Sequence, residues 1–332
     1  MTMYATMEME GAKQFLEGIE RNSKSSKASY AVALSRFQNF LDTKNYTLKS
    51  IIKPLANEKI NVYTLLNEFL THLLKNNGKL SAKSVKAYMA AVKSYLQNQE
   101  EDIDIVPAKF KKKVKMPKIY RTKEEAIDAA DIRDILLHCN NRRLKPYLCM
   151  LGSGAMRTIE GCSSRWIDVH FDENPTRVDI REEYTKTKEG RYTFISDEAT
   201  KFLNEWKAWK YRERKFEKDD LIFPYDNEIK SVSYIYTTLW REFNKILTVV
   251  NRDRRKDNSR RRKITLNSFR RFAKTVASDQ VSTDFSEWFL GHTDSSYWTK
   301  KAPELREIYK TKCMKYLTFL DYAVLELSLI HI

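Results

Sequence analysis

The strongest constraint on how this chain can fold is a break in its pattern at residues 101–119. The acidic end of one helical region, Glu100-Glu101-Asp102, gives way to Lys109-Phe-Lys-Lys-Lys-Val-Lys-Met-Pro-Lys118. So many ammonium groups cannot be buried without partners, so this Pro-bounded stretch reads as an exposed linker between two separately packed regions. A chain of 332 residues fits that division, at about 100–200 residues per domain. The boundaries expected are a helical domain over 11–104, a basic linker over 105–122 and a second domain over 123–326. Lys111, Lys112, Lys113 and Lys115 of the linker are candidate phosphate contacts.

Before the break the apolar spacing is helical throughout. Ser26 or Ser29 can cap a helix carrying Tyr30, Val32, Leu34, Phe37, Phe40 and Leu41 on one face. A second helix is expected near residues 62–75, with Leu65, Leu66, Phe69 and Leu73 on one side. Asn76-Asn77-Gly78 reads as a turn, and a third helix follows Ser81 with Val85, Tyr88, Met89, Val92, Tyr95 and Leu96. The aromatic stripes read as core. After the break the pattern is mixed. Helices are expected over 124–139, 145–151, 197–216 and 232–250, and in the stretch Pro303–Lys310. Val178–Tyr184 and Tyr192–Ile195 read as two strands joined by a turn at 186–190, where Gly190 is free to take positive φ. Residues 251–263 form a basic loop in which Arg261 and Arg262 are further candidate phosphate contacts. The fold class is thus mainly α with a small antiparallel sheet, α+β.

Composition narrows the partner. The formal net charge is +16, from 60 Lys+Arg against 44 Asp+Glu, which favours a polyanionic partner, nucleic acid being the usual one and membranes or acidic proteins the alternatives. No run of about 18 apolar residues is present, so no membrane span is expected. The N-terminus has no apolar core of a signal peptide, and a cytoplasmic, nucleoid-associated protein is expected. Cys139, Cys149, Cys162 and Cys313 lack CxxC pairing and read as reduced thiols, and the five histidines are scattered, so neither a metal site nor a cofactor is expected.

Three phrases in the second region carry chemistry: Gly154-Ala-Met-Arg157-Thr-Ile-Glu160, Asn267-Ser-Phe-Arg270, and Leu290-Gly291-His292, followed by Ser295-Ser-Tyr297-Trp298. Arginine is a planar fork of donors that keeps its charge, so Arg157 and Arg270 together can hold a phosphate and the added charge of its transition state. Histidine can donate to the phosphate or carry a proton, and tyrosine supplies an oxygen nucleophile. Glu160 stands one turn from Arg157 and can orient it. Arg271 adjoins Arg270, but the apolar residue before Arg270 favours Arg270.

At these positions the chain resembles the tyrosine recombinase, or phage integrase, family, and archaeal members most. The first arginine box of that family carries Glu at +3, Trp at +9 and Asp at +11, matched here by Glu160, Trp166 and Asp168, while Gly161 and Ser164 replace leucines. The resemblance implies a helical core-binding domain and a catalytic domain that form a C-shaped clamp on DNA. It implies that Lys186, on the hairpin turn, protonates the leaving 5′ oxygen, with Lys188 as second choice and Arg191 matching the hairpin pattern. Asn267 stands where the family has a histidine, and an amide cannot carry a proton. The family's tyrosine falls nine residues after the histidine, where this chain has Lys301. Tyr297, at +5, is the expected nucleophile, with Tyr309 as the alternative.

The implied activity is site-specific DNA cleavage and rejoining through a 3′-phosphotyrosine, without metal or ATP. It would be performed by a homotetramer on paired sites of a mobile genetic element. Residues 314–325 would dock on a neighbouring protomer or else pack within their own domain. A type IB topoisomerase-like enzyme and an inactive DNA-binding remnant are the alternatives. Residues 327–332 match a translated sequencing adapter and are expected to be a non-native tail.

Overall fold

A computed structural model describes residues 12–76, 80–101, 103–119, 126–185, 187–255 and 262–320. It divides into two compact units, residues 1–122 and 123–332. The turn expected at 76–78 falls largely outside the described residues, as do Arg261, Lys186 and everything after Leu320.

The first unit is all helical: α1 (Lys13–Asn22), α2 (Lys24–Asp42), α3 (Ile52–Ala56), α4 (Val62–Asn76), α5 (Ala82–Gln97) and α6 (Pro107–Lys113). The expected cap of α2 is corrected. Ser23, in extended backbone between α1 and α2, accepts from the Ser26 amide at 3.2 Å, and Ser26 and Ser29 lie inside the helix. Ser81 caps α5 as expected. Such caps contribute about 1 kcal/mol each by satisfying a first-turn amide. Phe37, Leu66, Phe69, Leu73, Val92 and Tyr95 form the core, with the Phe37 and Phe69 rings edge to face at 5.0 Å. The stretch read as a linker is part of this unit. Phe110, Val114 and Met116 alternate with the lysines and pack on the same core, which turns the short α6 into an amphipathic strap.

The second unit opens with α7 (Ala129–Leu137), α8 (Leu144–Ser153) and α9 (Thr158–Ser163). Asp128 and Asp131 cap α7 reciprocally. The central helix is α8, buried along almost its whole length, because it is covered by α10 (Asp197–Lys210) and by α12 (Leu266–Gln280). Beside it lies an antiparallel sheet ordered β1 (Val169–His170), β2 (Arg177–Ile180), β3 (Arg191–Phe194), in a register that opposes Val178 to Thr193 and Ile180 to Arg191. The remaining helices are α11 (Val232–Val249), α13 (Thr283–Phe289) and α14 (Ala302–Ile308), the last running into a π-turn over Tyr309–Cys313.

Three expectations here are corrected. The strand expected to reach Tyr184 ends at Ile180 and continues as a 3-10 turn, since Arg181 leaves the sheet to bind Asp168 at 2.9 Å. The left-handed residue of the hairpin turn is Lys188, at φ 62°, rather than Gly190. The helix begun at Asp197 stops at Lys210 rather than at 216. Of the two readings of the tail, the described part fits packing within its own unit. Leu317 and Phe319 are buried in their own unit, and the amides of Phe319 and Leu320 donate to the Glu198 carboxylate. All four cysteines are free and buried, and among the described residues no helix is long and apolar enough to cross a membrane.

Candidate active site

The carboxylate of Glu160 is the centre of the site. It lies in the first turn of α9 with its side chain fully buried. Three guanidiniums converge on it. Arg157 donates Nη1 to Oε1 at 2.7 Å, and its own backbone amide donates to Oε2 at 2.7 Å. Arg191, at the start of β3, donates Nη2 to Oε2 at 2.8 Å. Arg270, from the first turns of α12, brings Nη1 to 3.7 Å of Oε2. The spacing Arg157-x-x-Glu160 makes the first contact possible because Arg157 is the extended N-cap of α9 and Glu160, its third residue, reaches back to it.

Burial alone would raise the Glu160 carboxyl, but Arg191, then Arg157 and Arg270, overcome it and hold the group below the usual carboxylate range. The arginines carry the cost. Burial, and then the nearby Arg191, pull the Arg270 guanidinium down to about 9, still charged at neutral pH. Burial likewise lowers Arg191. Three positive charges stand against one negative, so two remain for an anion to balance.

Arg270 is further fixed by carbonyls. Its Nη1 donates to Ala155, and its Nη2 donates to Leu290 at 2.6 Å. Ala155 adopts φ 48°, a left-handed conformation that costs a non-glycine residue about 1–2 kcal/mol. Arg271, the neighbour that a one-residue slip would have chosen, donates to the Ser268 hydroxyl at 2.8 Å.

The bond from Arg270 to Leu290 joins the arginines to the third phrase. Gly291 follows at φ 72°, and a Cβ there would lie 2.3 Å from Cδ of Arg191. Glycine is required twice over, by backbone and by space. His292 is partly exposed, and its Nδ1 is paired with the Glu287 carboxylate, which also binds Lys274 at 2.6 Å. Those two contacts, Lys274 first, hold the Glu287 carboxyl below its usual range. With Nδ1 engaged, Nε2 is the nitrogen left to meet a substrate. Glu287 and Lys274 were not singled out from sequence. The signal available was weak: a glutamate five residues before the histidine, at the end of a short helix.

The two tyrosines differ sharply. Tyr297 lies in a 3-10 turn, Ser296–Thr299, half-buried with its ring against Phe285 at 5.4 Å. The adjacent Trp298 donates its indole N–H to the His292 carbonyl at 2.7 Å, which ties this turn to the histidine phrase. Tyr309, the alternative nucleophile, is wholly buried and donates to the Ser153 carbonyl at 2.9 Å. Burial pushes its phenol well above the ordinary range, against forming a phenolate.

The hairpin turn faces this region. Thr187, Glu189, Gly190 and Arg191 line a cleft of about 450 Å³ with Gly291, Thr293 and Trp298. Lys186 itself lies outside the described residues. Asn267 is exposed on the first turn of α12, one turn before Arg270. Lys111, Lys112, Lys113 and Lys115 are all exposed on or just after α6. Arg262 is half-buried, paired across a bridge with Arg255 and 3.7 Å from Asp253.

A family model for the phage integrase family matches residues 124–300, and the chain belongs to that family. Solved structures with the same fold include XerH site-specific recombinase bound to its difH substrate, with a TM-score of 0.59 and 16% identity, covering 92% of this chain and 82% of that one. Lambda integrase(75–356) as a dimer on a COC′ core site gives a TM-score of 0.58 at 12% identity over 91% of this chain and 94% of that one. The Tn1549 transposon integrase in complex with transposon right end DNA gives 0.50 at 11% identity, over 84% and 99%. No curated protein sequence matches the chain significantly.

Proposed function

We propose that this phage integrase family member is a site-specific recombinase that cuts and rejoins double-stranded DNA through a 3′-phosphotyrosine. The observation that carries the reading is the Glu160 cage, which holds Arg157 and Arg270 with two positive charges unbalanced. A phosphodiester carries one negative charge and gains a second as an oxygen attacks it, so the cage favours the transition state over the ground state.

In this mechanism the Tyr297 oxygen attacks phosphorus as its phenol proton passes to water, and the bond to the 5′ oxygen breaks. Lys186 supplies the proton that the departing 5′ oxygen takes up, a task suited to an amine beside other cations. His292 donates from Nε2 to a phosphate oxygen, and Asn267 positions the phosphate through its amide. A 5′ hydroxyl of the partner strand then attacks the phosphotyrosine, the phosphorus–tyrosine bond breaks, and the backbone is resealed. The ester energy is conserved, so the cycle balances with no ATP, and the guanidiniums do the charge stabilisation otherwise given to a metal ion. Exchange between two duplexes needs four cuts, hence four protomers.

The exposed lysines of α6 are assigned to phosphates, and Tyr297-Trp298 at +5 from the histidine supports an archaeal-type integrase of a mobile element. The test is a plasmid carrying two copies of the element's end sequence. Recombinant circles support the reading. Relaxed plasmid with no recombinants would favour a topoisomerase-like enzyme, and tight binding with neither product would favour an inactive remnant. Replacing Lys111, Lys112, Lys113 and Lys115 with alanine is expected to flatten the salt dependence of DNA binding by about 0.9 in log–log slope for each phosphate no longer neutralised.

A further inference from the structure

We infer that Arg191 is a positioning residue that locks the arginine phrases to the histidine phrase, so that Arg157, Arg270 and His292 face one phosphate. The inference rests on the recombinase reading above.

Three observations converge on this side chain. Its Nη2 holds Glu160, the carboxylate that orients the other two arginines. Its Nη1 donates at 3.2 Å to the carbonyl of Phe289, at the entry to Leu290-Gly291-His292. Its stem fills the space where any side chain at position 291 would stand. One residue therefore touches both halves of the site, and it does so from β3, directly after the hairpin turn that carries Lys186.

Fold stability alone is a poor explanation for arginine here. The guanidinium is almost completely buried, and its Nε finds no hydrogen-bond partner among the described residues. Burial pulls its proton affinity down, so the charged form is held at a cost. Replacing a whole buried ion pair by apolar side chains is often neutral or stabilising, whereas an apolar residue at 191 alone leaves Glu160 to Arg157 and Arg270 and is expected to cost some stability as well. What an apolar side chain cannot do is fork between Glu160 and the Phe289 carbonyl. A lysine, with one nitrogen on a flexible stem, cannot present that planar fork either.

The experiment compares wild type, Arg191→Met and Arg191→Lys in single-turnover cleavage of a nicked suicide DNA, beside DNA affinity by anisotropy and thermal melts. Arg191→Met is expected to cleave about 100-fold more slowly at saturating protein, the loss typical of a misplaced reacting group. Its DNA affinity should change little, because binding of the duplex rests on many phosphate contacts besides the one being cut. Arg191→Lys should restore only part of the rate. A lower melting temperature with an unchanged cleavage rate in the folded protein would overturn the inference.

Should Arg191→Met fail to fold, Gly291→Ala probes the same coupling with every charge retained, since it presses on the Arg191 stem. Folded Gly291→Ala protein that cleaves at the wild-type rate would also overturn it. Wild-type protein that forms no covalent adduct would instead bring down the recombinase reading, and the positioning role with it.

Discussion

The two halves of the site are held in different ways. The arginine half is caged. Glu160 is buried, and its three guanidiniums are held by that carboxylate, by the Ala155, Leu290 and Phe289 carbonyls, and by the close approach of Gly291. The tyrosine half lies on the surface. Its turn is held by the Trp298 indole on His292 and by Ser295 and Ser296 on Asp284. The contrast fits the division of labour in phosphoryl transfer. Charge stabilisation works only if the dipoles and charges are set before the reaction, whereas an attacking oxygen must reach a substrate and later release it.

The largest effect expected from breaking this contrast is at Glu160. Glu160→Gln leaves the buried Arg191 and Arg270 and the half-buried Arg157 without their carboxylate and should cost about 3–5 kcal/mol, read by urea denaturation. A loss under about 1 kcal/mol would mean that the cage does not depend on this carboxylate. Arg157 is the cage member with the most solvent exposure. Arg157→Ala is accordingly expected to separate function from stability, lowering the rate of adduct formation by about 10²–10³-fold while the melting temperature changes little.

Glu287→Gln should come next. It leaves His292 without its orienting carboxylate and should slow cleavage roughly tenfold or more, a share of what a proton-transferring or donor group contributes. Trp298→Ala removes one bond from the surface half, and its stability cost should stay near about 1 kcal/mol. If Trp298→Ala destabilised the protein as much as Glu160→Gln, the two halves would not differ in the way described.

Acid should act on the caged half first. Glu160 and Glu287 both lose their protons more readily when folded than the ordinary value of 4.5 implies. A carboxyl with a lowered folded value contributes stability that is complete above that ordinary value. That stability is lost as pH falls through the folded value. Denaturation midpoints should therefore be flat down to about pH 4.5 and fall below it, and the fall should be shallower in Glu160→Gln.

Much of this was legible in the chain because local phrases encode local geometry. Arg157 and Glu160 stand three residues apart at the start of α9, Gly291 announces a left-handed backbone, and the apolar stripes of α2, α4 and α5 point to their core. What could not be read was set by contacts distant in sequence. Arg191 meets Glu160 across 31 residues and Phe289 across 98, and spacing carries no trace of either. The lysine run at 109–118 looked like a tether because its charge dominates. Phe110 and Val114, one helical turn apart, decide that it packs. Tyr297 is the nucleophile expected from sequence, and the burial of Tyr309 adds a reason to prefer it that spacing does not carry.

The most direct test of the central claim is to trap the covalent complex on a nicked suicide DNA carrying the element's own end and to map the modified residue by mass spectrometry. Tyr297→Phe and Tyr309→Phe would be run beside wild type. The account expects the nucleotide on Tyr297, with the adduct abolished in Tyr297→Phe and retained in folded Tyr309→Phe. An adduct on Tyr309, or one that persists in Tyr297→Phe, would contradict it.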